Sequence, residues 1–463
     1  MSTFHVVGCL LGLAGLAGQQ AAAQAPHLSG RISVSVRQGT IAADLELSRL
    51  PPLTNTRLWL HTGLNVEAFR DSTGRSILAQ RRSYAPDTTE EAWQYQLLDA
   101  QNRPLPRRLR LRYAGAFPVQ ADSGQYPDRG DDKGRFVFNG TTVRATEQTA
   151  WYPTLYDRTL DQGISAYTHD LEVSCADCQT LYLNGSAPAA GPVQRLVSTK
   201  PAALVLFAGN YPVQRFAGGW LLNSALTAGQ AATFGGFVGR VRGYYERQLG
   251  LPYRQELTFL NSTPVSRRDG WLFVTFPTIA TVGWHQDVGT LFRGETLAES
   301  TLLPYLSHEF GHYYFGTLLQ PNTALRYFFL EGTTEYLALK ATQRQLGPKH
   351  YREKLAAYRR RLLRHGNFAA LSATRQAGDL DDAYRYVAVP LQLLALERLV
   401  GEKQVWRWLR AVVQSAAPRT DYAFLLDSLR RSGLREADLT AWLSRYTGGG
   451  PAMQQALLAL TLL

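Results

Sequence analysis

The chain has very little cysteine, little histidine, and no long apolar run beyond its first residues. Three cysteines in 463 residues exclude a scaffold built on disulfides. The length allows two or three domains with an ample core. Nine histidines in such a chain make a chance pairing at metal-ligand spacing rare. No segment after the N-terminus is long and apolar enough to span a bilayer, and Gln455–Leu463 reads as a short packed terminal helix. Internal repeats and long low-complexity tracts are absent as well. The net charge is +12, but no nucleic-acid motif accompanies it. Its arginines are spread among apolar positions. The densest run, Arg359 to Arg361 with Arg364, reads as the solvated face of an amphipathic helix. No nucleic-acid partner is expected.

Residues 1–23 read as a secretory signal peptide. Val6–Ala17 is a short apolar stretch and Ala21-Ala22-Ala23 offers a small-residue cleavage site, although no Lys or Arg precedes them. Val6-Val7-Gly8-Cys9 has the look of a lipoprotein box, but almost no apolar segment precedes Cys9, so lipid anchoring is not expected. The mature chain is expected outside the cytoplasm, periplasmic or secreted, with no transmembrane segment. Cleavage leaves Cys175 and Cys178. Their strand-like flanks suit a small disulfide at a strand-to-strand turn, or an inert thiol pair, better than a redox site.

Two characters divide the rest. Over residues 24–217 the pattern is short and alternating, with β-forming runs at Arg31–Val36, Arg108–Tyr113, Arg135–Phe138 and Ala203–Phe207. This predicts an all-β N-terminal domain. From Gly218 the pattern changes: a helix over Phe237–Leu249, strands at Glu256–Leu260 and Trp271–Phe276, and helical periodicity from about residue 346. The expected architecture is multidomain α+β. Residues 218–450 form the second domain, ending in a helical subdomain, and 451–463 a tail.

The chemistry-bearing segment is Ser307-His308-Glu309-Phe310-Gly311-His312, followed by Phe329-Leu330-Glu331-Gly332. Residues four apart on a helix share a face, so His308 and His312 can reach one metal ion. With Glu331 as third ligand they form a set that suits a single zinc ion and leaves a position open, as catalytic sites require. Glu309, beside them, is placed to act as general base toward an attacking water. Glu335, one turn beyond Glu331, reads either as a carboxylate that hydrogen-bonds a ligating histidine or as a solvated side chain.

In this order these residues resemble the gluzincin aminopeptidases, the family of aminopeptidase N and leukotriene hydrolase. His308, Glu309 and His312 match its zinc helix, Tyr313-Tyr314-Phe315-Gly316 its aromatic continuation, and Glu331-Gly332 with Tyr336 its third-ligand helix. Tyr245-Glu246 and Gly250–Tyr253 resemble the opening of its catalytic domain, and Leu439-Thr440-Ala441-Trp442 with Gly450-Pro451 its close. The family's C-terminal helical-repeat domain has no counterpart. The resemblance implies a thermolysin-like catalytic domain, peptide or protein substrates, and a tyrosine that stabilises the oxyanion. Counting back from Gly401, that tyrosine is Tyr386, with Tyr384 the alternative, although Ala388 and Val389 replace the family's Lys-Gly. The family's amine-binding Gly-x-Met-Glu-Asn corresponds here to Gly283-Trp284-His285-Gln286-Asp287. Gly283 and Gln286 would then bind substrate, with a neutral amide where the family has a carboxylate. The expected activity is that of an aminopeptidase. The alternatives are a zinc endopeptidase, favoured by Gln286, and a non-catalytic peptidase-like binding protein.

Overall fold

A computed structural model of the chain describes residues 25–462, apart from 52–55, 83–91, 98–105, 121–130, 132, 159–161, 225, 263–270, 283–286 and 416. The signal-peptide reading of residues 1–23 therefore lies outside the described residues, as do Gly283 and Gln286.

The N-terminal half is built from three sheets of six, five and five strands among the described residues. Side chains alternate across a strand, so a period of two sorts them between core and solvent. In the strand Leu109–Ala116, Leu109, Leu111 and Tyr113 are fully buried. Between them Arg110 and Arg112 reach across the outer face to Asp44 on the neighbouring strand Thr40–Ser48. The run Ala203–Phe207, expected as one strand, is divided: Ala203 closes the strand Val193–Ala203, and Leu206 opens Leu206–Gly209 in a different sheet. Leu204 and Val205 are buried at the crossing, so alternation gives no sign of the break. Cys175 and Cys178 are disulfide-bonded in the turn between the strands Ala166–Cys175 and Thr180–Leu183.

The second half opens with a mixed sheet in the order Val213–Phe216, Gly219–Leu222, Leu257–Asn261, Thr278–Val282, Trp271–Thr275. Thr278–Val282 escapes the sequence reading because all five of its residues are buried and show no alternation. Gly219 is required where its strand meets Leu257, since a Cβ there would lie 1.8 Å from the Leu257 carbonyl oxygen. Helix α1 (Ala228–Leu249) packs on this sheet through Phe234, which meets Phe216 and Phe259. It starts nine residues before the predicted Phe237, at a capping box formed by Thr227 and Gln230.

Among the described residues seven α-helices follow: α2 (Glu299–Gly311), α3 (Thr333–Arg364), α4 (Val389–Val400), α5 (Glu402–Val413), α6 (Tyr422–Arg431), α7 (Glu436–Trp442) and α8 (Gly450–Leu460). Helix α3 bends at Gly347, whose φ of 83° interrupts it just before Pro348. The C-terminal residues are a core element rather than an appendage, because α8 buries Met453, Leu457 and Leu460. No helix among the described residues is long and apolar enough to cross a membrane. The two halves meet through a small apolar cluster that includes Tyr182, Phe207, Leu222, Leu260 and Phe273. Beside it, Asn184 donates to the carbonyl oxygens of Thr275 and Phe276.

The β half also carries an acid-sensitive group. His169 is fully buried, and neither ring nitrogen meets a protein partner among the described residues. Burial, reinforced by His27, holds its pKa down at about 4. The folded state therefore refuses a proton that the unfolded chain accepts below about pH 6.5. Stability from this group is complete above that pH and is lost as pH falls toward 4, by about 3 kcal/mol in all. Urea midpoints of the wild type should drop between pH 7 and pH 5 by more than those of His169→Leu. Parallel drops would remove His169 as the cause.

Candidate active site

Helix α2 and the π-helical turn that leads into α3 cross closely and carry the candidate ligand set. Leu303, Leu306 and Phe310 turn α2 toward the core, and Tyr245 of α1 donates to the Ser307 carbonyl, which fixes its rotation. This leaves His308 and His312 on the side that faces α3. The crossing is close because Gly311 lies against Thr334, where a Cβ would already touch at 3.1 Å. Glu331 sits on a π-helical turn, Phe328–Gly332, immediately before α3. Such wide turns are frequent at functional sites.

The three predicted ligands converge, with their ligand atoms all within 4.8 Å of one another. Nε2 of His308 lies 3.3 Å, and Nε2 of His312 3.7 Å, from the same Glu331 oxygen. Two ligands each about 2.0–2.1 Å from a tetrahedral zinc are roughly 3.3 Å apart, so the spacing fits that ion. The electrostatics fit as well. Three carboxylates, Glu309, Glu331 and Glu335, crowd two imidazoles, with side chains no more than 16% exposed. Burial opposes a charge on His308, but hydrogen bonds to Glu331 and Glu335 hold its pKa up, at about 10. Burial holds His312 down at about 4. Burial pushes Glu309 up to about 7, only partly opposed by His308. Such a site is relieved by a divalent cation on the Nε2 atoms.

Glu335 is a partner of the ligand set rather than a solvated side chain. Its carboxylate lies 3.0 Å from Nδ1 of His308 and is itself held by Lys354 at 2.9 Å and by the Tyr358 hydroxyl at 2.5 Å. A proton on Nδ1 leaves the Nε2 lone pair free to ligate. His312 is oriented more loosely, with Nδ1 3.4 Å from the Phe315 carbonyl. Glu335→Gln should weaken zinc binding roughly tenfold or more, read by titration against a competing chelator. Unchanged affinity would count against the orienting role.

The two candidate tyrosines part company. Tyr386 points its hydroxyl at Glu331, 3.0 Å away, with its ring 5.7 Å from that of His308. Tyr384 is buried against Phe368 and plays no part in the site. Both lie on a second π-helical turn, Tyr384–Ala388, which leads into α4. Gly332 lets this turn approach, since a Cβ there would lie 2.4 Å from Val389. The β half contributes residues that no motif disclosed. Lys133, paired with Glu147 and donating to the Val274 carbonyl, lies close enough for its charge to act on Glu309 and His312. Gly283, Gln286 and the neighbouring His285 lie outside the described residues.

No known family pattern matches the sequence, and no curated protein matches it. Solved structures do match. An M1 zinc metallopeptidase from Deinococcus radiodurans superposes with a TM-score of 0.59 at 18% identity, over 91% of this chain and 94% of the other. A mutant of that enzyme bound to a Tyr-Ser-Ala substrate gives 0.59 at 19% identity, with the same coverage. Leukotriene A4 hydrolase from Saccharomyces cerevisiae gives 0.65 at 12% identity, over 90% of this chain and 67% of that enzyme. At these identities the likeness establishes the fold: this chain has the multidomain α+β fold of the M1 zinc metallopeptidases.

Proposed function

We propose that the chain is a zinc metallopeptidase that removes N-terminal residues from short peptides, and that it works outside the cytoplasm. The observation that carries this reading is the convergence of His308, His312 and Glu331, with the Glu309 carboxylate and the Tyr386 hydroxyl at the same point. His308, His312 and Glu331 would hold the ion. Bound there, zinc supplies a Lewis acid that acidifies water and polarises a carbonyl. Glu309 takes the proton of the attacking water and returns it to the leaving amine; its raised pKa suits both directions. Tyr386 donates to the oxygen that gains charge in the transition state. The fold shared with an enzyme captured on Tyr-Ser-Ala supports a peptide substrate. The Cys175–Cys178 disulfide supports export.

Gln286 favours a second reading, an endopeptidase, because a neutral amide lacks charge attraction for a free amino terminus. Mass spectrometry of matched free and N-acetylated peptides separates the two. Chelator-sensitive loss of single N-terminal residues from the free peptides alone supports the aminopeptidase. Internal cleavage of both sets would establish the endopeptidase. No cleavage of either would overturn both.

A further inference from the structure

A cavity of about 740 Å³ opens between α1, α3 and α5, away from His308, His312 and Glu331. Five cations line it, Lys340 and Arg344 from α3 and Lys403, Arg407 and Arg410 from α5, against a single carboxylate, Glu402. They are not equivalent. Lys340 is buried, its ammonium held by Glu397 at 2.9 Å and Glu402 at 3.3 Å. The Tyr336 hydroxyl donates to the other oxygen of Glu397, and the Trp406 indole donates to Glu402. Both acids are thus engaged, Glu402 at the exposed edge of the cavity, while the buried rings of Tyr244 and Trp406 line it. Arg344, Lys403 and Arg410 have no carboxylate partner among the described residues, and Arg407 meets only the Gln404 amide oxygen.

A solvated helix face ordinarily interleaves charges of both signs. Here four cations from two helices border one concavity, and its one lining carboxylate, Glu402, is already paired with Lys340. The volume lies in the range of small-ligand sites. Guanidinium forks favour tetrahedral and planar oxyanions, which they grip with paired hydrogen bonds. We propose that this cavity is a binding site for a small oligophosphate anion of the pyrophosphate class, distinct from the site at His308.

Calorimetric titration of the full chain with inorganic pyrophosphate, at physiological ionic strength, tests this. Saturable binding of one anion per chain is expected. Arg407→Ala/Arg410→Ala should weaken it at least tenfold, because both side chains are exposed and their loss leaves the helical core intact. Unchanged thermal unfolding of the double variant verifies that. Arg360→Ala/Arg364→Ala removes the same charge from an exposed stretch of α3 outside the cavity and should shift affinity less than twofold. Absence of saturable binding overturns the proposal. So does equal weakening by the two double variants, which would mean diffuse attraction to a basic protein. A parallel titration with sulfate separates oligophosphate recognition from general oxyanion binding, and equal affinity for sulfate would overturn the oligophosphate assignment.

Discussion

Glu309→Gln is expected to keep its zinc and lose turnover by a factor on the order of 10³, within the range that general acid–base catalysis contributes. The substitution preserves shape and removes only the ability to take a proton. Glu309 is not one of the three residues whose ligand atoms converge, and its carboxylate lies 3.9 Å from Nε2 of His312. Metal stoichiometry should therefore hold near one per chain while kcat collapses. Burial is what makes the residue suitable: it lifts the carboxyl to about 7, so the proton is neither held too tightly nor lost too early. The variant also loses one negative charge beside His308 and His312, so a modest change in metal affinity is compatible with the role. Turnover near the wild-type rate in a zinc-loaded variant would remove Glu309 from the mechanism.

The convergence of His308, His312 and Glu331 was legible because their spacing is local. A four-residue spacing on one helix brings His308 and His312 together whatever the rest of the fold does, and Glu331 follows on the next helical segment. Glu335 was half legible. Its position one turn beyond Glu331 marks it as a neighbour of the site, but Lys354 and Tyr358, which hold it, come from beyond the Gly347 break in α3. The choice between Tyr384 and Tyr386 depended on a π-helical turn that propensity does not announce, and on Gly332 admitting Val389. The approach of Lys133 to the site depends on pairing between distant segments, here its bond to Val274 in an edge strand. The basic cavity escaped for the same reason: read along the chain, its cations are ordinary solvated positions on two helices.

Tyr386→Phe tests the part of the site on which sequence and structure converged from different directions. Counting back from Gly401 favours this residue, and its hydroxyl is the one that reaches Glu331. Burial and the adjacent Glu331 charge push its pKa well above the ordinary tyrosine value, so the hydroxyl stays protonated and is available as a donor throughout the neutral range. Removing such a donor from a developing oxyanion typically lowers kcat by about 10²–10³-fold. Because the bond strengthens only as charge develops, KM should move by less than about threefold. A residue that merely braced Glu331 would behave differently: its loss would appear first as weaker zinc binding, and excess zinc would restore the rate. Tyr384→Phe supplies the control, since its buried hydroxyl lies by Gln392 and not by the candidate ligands, and its removal should leave both kcat and zinc affinity unchanged. Full activity in zinc-saturated Tyr386→Phe would assign oxyanion stabilisation to another group, and Lys133, a cation of the β half whose charge acts on Glu309, would be the next to substitute.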